Sequence, residues 1–212
     1  MGIHLVERPP RLFRMLFPGG HFRLTGGGRR VFLTFDDGPI PEVTPWVLNQ
    51  LDGYGIKATF FMVGDNARRH PELVEEVRRR GHEVGNHTMH HLQGAKVTTM
   101  RYLRDVEEAD ALLHSRLFRP PHGWLRPRQA RAMVRKYHLV MYDLVTRDYS
   151  RRLTAAQVFD NVRQLARPGA IIVFHDSLKS WPRLQTALPQ SIEWLISQGY
   201  TFATVADYFD NR

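Results

Sequence analysis

The chain has 212 residues, room for one sizeable domain, and its 42% hydrophobic and 24% charged content excludes a disordered chain. It contains no cysteine, which excludes disulfides, thiolate catalysis, zinc fingers and iron–sulfur clusters. Thirty Lys+Arg against 21 Asp+Glu leave a net charge of +9; the clusters Arg68-Arg69 and Arg78-Arg79-Arg80 lie near acids such as Glu72, Glu75 and Glu76, so the charge reads as a solvated outer face, and no nucleic-acid module accompanies it.

Residues 1–28 form a lead segment of Arg, Pro and Gly with Phe13, Phe17 and Phe22 interspersed, ending in Gly26-Gly27-Gly28. From there strand-like and helical runs alternate. Val31–Phe35 reads as a buried strand, Pro41–Leu51 as a helix and Lys57–Val63 as a second strand closed by Gly64. Pro71–Arg80 puts Leu73, Val74 and Val77 on one helical face and stops at Gly81. A short strand, His82–Asn86, precedes a long helix over Thr98–Leu117, then a strand at Leu117–Arg119. A helix over Pro127–Tyr137, a strand at Leu139–Asp143 and a helix over Thr154–Ala166 follow. Ala170–Phe174 is the longest uninterrupted apolar run, well short of a bilayer span or the core of an export signal. No transmembrane segment is therefore expected, and a cytoplasmic protein or a processed exported form both fit. A helix over Pro189–Gln198, with Pro189 in its first turn, and a strand at Tyr200–Ala203 complete the pattern.

Such alternation predicts a parallel α/β architecture, either a doubly wound sheet or a β/α barrel. The polar residues discriminate between them. Asp36-Asp37, His87 to His91, Arg119, Asp148 and His175-Asp176 each follow a different strand. An open sheet gathers its ligands at one switch point, whereas a barrel brings all its carboxyl-terminal strand ends to one rim. Five chemically equipped strand ends favour the barrel.

His87 and His91 are four apart, so one turn of helix would aim both imidazoles the same way. Two imidazoles and a carboxylate suit a divalent metal with room for water. Alone that spacing is weak, because the chain has 11 histidines. It gains weight from Asp36-Asp37: two adjacent acids are costly to bury unless one meets a cation and the other a cationic partner, and Gly38-Pro39 after them signals a tight turn.

These residues carry a family resemblance. Thr34-Phe35-Asp36-Asp37-Gly38-Pro39 resembles the first motif of polysaccharide deacetylases, the NodB-homology domain of carbohydrate esterase family 4, and His87-Thr88-Met89-His90-His91 resembles the second. Arg119-Pro120-Pro121-His122-Gly123, Asp148-Tyr149 and Val173-Phe174-His175-Asp176 stand for the third to fifth. The order holds from about residue 30 to about 205, outside the lead segment, so the expected division is a lead segment at 1–28, packing on or near the barrel, and a catalytic domain at 29–212. The resemblance implies a distorted (β/α) barrel of about seven parallel strands and a metal held by Asp37, His87 and His91, with zinc first and cobalt or nickel as substitutes. It implies Asp36 as general base, Arg119 as its partner, His175 as general acid and Asp148 as the group that orients it. The backbone N–H of His122 would steady the oxyanion. The implied partner is an acetylated glycan, first one containing N-acetylglucosamine (chitin oligomers, peptidoglycan), second an O-acetylated xylan; a monomer is favoured.

Three positions depart from the family pattern. His122 replaces an aromatic groove wall, Tyr149 replaces tryptophan, and Val145 stands where many members carry another aspartate. Trp124 is the candidate to wall the groove instead, whereas Trp194, beside Ile192, Leu195 and Ile196, belongs to the core. His82 and His90 are read as structural histidines, and Asp176 as a residue that caps or orients the loop following it. Two rivals differ in class: an iron oxygenase built on the same His-His-carboxylate set, and a carbohydrate-binding protein on an inactive deacetylase scaffold.

Overall fold

In the computed structural model, residues 7–210 are described. Its strands are β1 (Arg30–Asp36), β2 (Thr59–Met62), β3 (Glu83–Asn86), β4 (Leu117–Phe118), β5 (His138–Leu139), β6 (Leu144–Val145), β7 (Ile171–His175) and β8 (Thr201–Phe202). The helices are α1 (Arg11–Met15), α2 (Thr44–Gly53), α3 (Gly64–Arg69), α4 (Pro71–Arg79), α5 (Thr99–Leu113), α6 (Pro127–Lys136), α7 (Ala155–Leu165), α8 (Trp181–Ser197) and α9 (Val205–Asp210). Seven strands run parallel in the order β5-β4-β3-β2-β1-β7-β6, and β8 adds to β1. The sheet curls into a half-barrel, the α/β arrangement expected from the alternation.

Alternation along β1 builds two cores. Val31, Leu33 and Phe35 face the helix layer with Phe60, Phe174, Val47, Leu48 and Ile192. Phe32 faces inward with Phe61, Leu117, Val140 and Ile171, and Leu24 and Val205 join them. The inward positions of β1 then continue through Thr34 to Asp36. Asp36 lies opposite His175 in the β1–β7 register, so the two side chains emerge as cross-strand neighbours at the same rim.

β5 and β6 are the outer strands of this path, and the lead segment meets both sides of the seam between them. His21 bridges to Val140 and Arg23 to Ala170, while Leu24 N–H donates to the Gly169 carbonyl. Phe17 and Phe22, with Phe13 partly buried, pack on Leu125, Ala130 and Met133. Met1 to Val6 of the predicted lead segment lie outside the described residues.

Several elements differ from the sequence expectation. α3 has no apolar face to announce it: Gly-Asp-Asn-Ala-Arg-Arg buries only Gly64 and Ala67, and tertiary bonds from Gly64 and Asp65 N–H to the Thr88 and Met89 carbonyls set its start. The single strand expected at Leu139–Asp143 is split in two. The Arg119 guanidinium takes the Val140 and Met141 carbonyls that a neighbouring strand would otherwise use. α8 starts at Trp181, not Pro189; Pro182 occupies its first turn and Pro189 lies inside it. α5 stops at Leu113, where His114 takes a left-handed conformation.

Asp143, fully buried, joins the lead segment to the barrel. Its carboxylate accepts from Arg14 at 2.8 Å and from Arg167 at 2.5 Å. Burial alone would raise its pKa, but the Arg167 and Arg14 hydrogen bonds outweigh it and hold the group below the usual carboxylate value. A depressed native pKa stabilises the fold above the unfolded value of about 3.9, and that contribution disappears as the pH falls below it. Asp143→Ala is expected to cost about 2 kcal/mol in urea unfolding at pH 7, less than the ~3–5 of a wholly buried pair because both arginines retain some water. The difference from wild type should shrink toward pH 3; an equal gap at pH 3 and pH 7 counts against the ion pair.

Candidate active site

The first motif leaves β1 in a left-handed turn: Asp37 has φ 82°. Asp tolerates this conformation better than most residues, and the turn is held from both sides. Asn66 on α3 donates to the Asp37 carbonyl at 2.8 Å, and Asp176 accepts from Gly38 N–H at 3.1 Å and from Thr44 Oγ1 at 2.6 Å. A Cβ on Gly38 would stand 2.0 Å from the Asp176 carboxylate, so only glycine fits there. Asp176 thus anchors the turn after β1, not the loop following Asp176 itself as the sequence suggests, and burial pushes its carboxyl up to about 8.

His87 and His91 converge without the helical turn their spacing suggests. Thr88 (φ 66°) and His91 (φ 52°) are both left-handed, and no helix forms over residues 87–91. Asn86 steadies the bend by accepting from Thr88 N–H at 2.8 Å, and Thr88 Oγ1 accepts from Leu92 N–H at 3.1 Å. His87 is fully enclosed. Its Nδ1 lies 2.8 Å from the Arg119 carbonyl, which can only accept, so Nδ1 carries the proton and Nε2 bears the lone pair. Burial pushes this imidazole down to about 4, which keeps it neutral.

That lone pair lies 3.8 Å from Asp37 Oδ1, and His91 Nε2 lies 3.1 Å from the same oxygen. One ligand atom from each residue falls within 4.8 Å of the others. A neutral Nε2 lone pair beside a carboxylate oxygen is poorly matched without a cation between them, so the donor set fits a divalent metal. Burial raises the Asp37 pKa, but the His91 hydrogen bond and the charge of His175 outweigh it and hold the carboxylate well below its usual range.

Arg119 is 1% exposed beneath this group. It donates to Asp36 Oδ1 at 2.6 Å and Thr34 Oγ1 at 2.8 Å, and its guanidinium lies 4.0 Å from the Phe61 ring centroid. Asp36 Oδ2 accepts no hydrogen bond among the described residues, leaving it available to a water. Across β1, His175 Nδ1 lies 2.7 Å from Asp148 Oδ1, and Asp148 Oδ2 also accepts from His175 N–H at 2.8 Å. Burial works against the imidazolium, yet the Asp148 charge and hydrogen bond, with Asp37 and Asp36 behind them, raise His175 to about 9. The stability this lends is present below the ordinary histidine range and is lost as the pH rises through about 9.

A cleft of about 350 Å³ is lined by Asp36, Asp37, His87, His91, Arg119, His122, Tyr149 and His175. His122 (φ 59°) sets its ring 4.9 Å from that of His91, and its backbone N–H has no acceptor among the described residues, unlike those of Gly123 and Trp124. Tyr149 packs edge-on to His175 at 4.9 Å. Val145 lines the cleft too, as an apolar surface.

Trp124 is not part of the lining. Its ring packs on Phe13 at 5.7 Å and Phe17 at 5.9 Å, an apolar demand of the lead segment that is not legible locally. Tyr142 and Lys179 do line the cleft, and sequence reasoning misses both. Tyr142 lies in the gap between β5 and β6, where the strand expectation hides a rim position; burial pushes its hydroxyl up to about 12. Lys179 sits four residues past His175 with its ammonium 5.3 Å from the Tyr149 ring, and being one of only four lysines is its sole signal. His90 hydrogen-bonds Asp105 at 2.6 Å and His82 accepts from Ala58 N–H at 3.2 Å, so each has a partner outside the Asp37–His87–His91 group.

Comparison with known proteins places these features in context. The family model described as polysaccharide deacetylase matches residues 23–142. A peptidoglycan-N-acetylglucosamine deacetylase of Bacillus cereus is 33% identical over 185 residues, covering 84% of this chain and 86% of its own. A chitooligosaccharide deacetylase of Rhizobium leguminosarum bv. trifolii is 34% identical over 158 residues, covering 70% and 72%. A solved peptidoglycan N-acetylglucosamine deacetylase, in complex with 4-naphthalen-1-yl-N-oxidanyl-benzamide, superposes with a TM-score of 0.86 at 28% identity, over 94% of this chain and 96% of that one.

The His175–Asp148 pair is testable apart from turnover. In metal-free protein, the His175 ring followed by NMR is expected to titrate near pH 9. In Asp148→Asn it should titrate roughly one to three pH units lower. Identical curves for the two proteins would remove Asp148 as the cause.

Proposed function

We propose that this chain, which belongs to the polysaccharide deacetylase family, hydrolyses the N-acetyl amide of N-acetylglucosamine units in a glycan of the chitin-oligomer or peptidoglycan type. The observation that carries the reading is the placement of a carboxylate and a raised histidine as cross-strand neighbours beside a ligand trio in one cleft. The substrates named for the relatives support the glycan class.

The family is metal-dependent, and Asp37, His87 and His91 would hold the ion, with zinc suiting two imidazoles and a carboxylate. Such an ion, when bound, supplies Lewis acidity that acidifies water and polarises an acyl oxygen. The chain's own groups do the rest. Asp36 accepts a proton from the attacking water through the oxygen that Arg119 leaves free, while Arg119 keeps the carboxylate ionised and aimed. The His122 N–H donates to the oxygen that gains charge at the acyl carbon. His175 arrives protonated and donates from Nε2 to the departing amine, while Nδ1 stays bound to Asp148.

An acetyl ester of xylan could enter the same cleft, but an alcohol leaves with less need of a proton than an amine. The raised His175 therefore favours the amide. An oxygenase has no use for a paired base and acid, and an inactive binding scaffold has no reason to retain both.

Asp36→Asn is expected to lower kcat/KM for a chitin oligomer by about 10²–10⁴-fold while zinc content by elemental analysis stays at wild-type level. Activity near wild type would sink the assigned base. His175→Ala should slow amide hydrolysis by at least about 10²-fold more than hydrolysis of an acetyl ester with a good leaving group; equal losses would argue against its role as acid. Chelation should abolish acetate release under anaerobic conditions, and added zinc should restore it; retained activity after complete metal removal rules the trio out as a catalytic centre.

A further inference from the structure

Three large apolar side chains project from one short helix. Leu12 is 75% exposed, Met15 74% and Leu16 52%, and their spacing of three and four places them on one face of α1 and its end. The opposite face is held down: Phe13 and Phe17 pack on Trp124, and Arg14 on Asp143. α1 therefore has a seated side and an apolar outer side. Exposing contiguous leucine and methionine to water on a well-anchored element is unfavourable unless something apolar receives them.

The charge around this face is one-sided. Residues 8–35 and 111–142 contain no aspartate or glutamate, and these two stretches pack together through Phe17, Phe22, Ala130 and Met133. At their junction, a side chain at Gly19 would meet Val134 of α6 at 3.1 Å. Beside Val134, α6 exposes Arg128, Arg131 and Arg135, a single stripe at helical spacing. Among the described residues, neither these three nor Arg11 of α1 makes an ion pair, whereas Lys136 on the adjoining face is matched by Asp110 at 3.4 Å.

We propose that α1 and the outer face of α6 form a docking surface for an anionic phospholipid bilayer. The arginine stripe would meet the headgroups, and Leu12, Met15 and Leu16 would enter the acyl boundary. A polyanionic polymer would use the arginines equally well but has no place for three apolar side chains, which is why the lipid surface is favoured. The same Trp124 that packs on α1 lies two residues from His122, so docking would hold the cleft rim at a fixed orientation to the bilayer.

The test is co-sedimentation of the full chain with phosphatidylcholine vesicles, with and without phosphatidylglycerol. Wild type is expected to bind the anionic vesicles and to lose binding as salt rises. Leu12→Ser/Met15→Ser/Leu16→Ser should reduce partitioning by roughly 30-fold or more, since about half the burial energy of three such side chains exceeds that ratio. Arg131→Ser/Arg135→Ser should reduce it by roughly 10-fold on anionic vesicles. Thermal unfolding and acetate release from a soluble oligosaccharide should match wild type in both variants, separating this surface from the assigned reaction. Absence of wild-type binding to anionic vesicles overturns the proposal. Binding that survives the triple serine substitution and is competed by soluble polyphosphate overturns it in favour of a polyanion surface.

Discussion

A guanidinium with almost no access to water sits at the centre of this half-barrel, and much of the rim is arranged to keep it there. Arg119 donates to Asp36, Thr34, Val140 and Met141 and lies against Phe61. Burial pulls its pKa down against the charge of Asp36, yet an arginine starts so high that it stays charged. Removing either partner would strand the other in a dry interior. The consequences reach outward. Gly85 lacks a side chain where a Cβ would stand 2.4 Å from the Phe61 ring, so β3 makes room for the aromatic face under the guanidinium. The Arg119 carbonyl, meanwhile, fixes the tautomer of His87.

Backbone strain collects at the same rim. Six described non-glycine residues have positive φ, and five of them (Asp37, Thr88, His91, His122 and Arg147) belong to the loops after strands around the cleft; only His114 merely ends a helix. Each such conformation costs on the order of 1–3 kcal/mol and persists because neighbouring bonds over-determine it. Asn66, Asn86 and Asp176 supply those bonds at the first two loops. The rigidity keeps the Asp37, His87 and His91 donor atoms within 4.8 Å of one another.

Which features could be read from the sequence follows from how local their causes are. β1, β2 and β7 announce themselves as apolar runs, and Asp36 and His175 end theirs within the register that pairs them. The Asp37, His87 and His91 cluster and the Asp36–Arg119 and His175–Asp148 pairs are made of residues that the five ordered motifs contain. What fails to show depends on distant partners. The split of the fifth predicted strand is caused by Arg119, 21 residues before Val140; α3 is set by carbonyls from the second motif; Trp124 is claimed by Phe13 and Phe17. The convergence of His87 and His91 is anticipated through helical spacing, whereas left-handed residues produce it. A spacing argument can reach the right neighbours by the wrong backbone.

The lead segment sets an order of events as the chain leaves the ribosome. Its residues are synthesised well before their partners across the seam, Val140, Asp143, Arg167 and Ala170. Until α6 and β5 emerge, Phe13, Phe17 and Phe22 have no finished surface to cover, and these apolar side chains stand open to other chains. Contacts of such long sequence separation close slowly, because the intervening loop must be brought to order before any of them forms. The seam is therefore among the later joints of the barrel to form, its Arg14–Asp143 contact closing across 129 residues of chain.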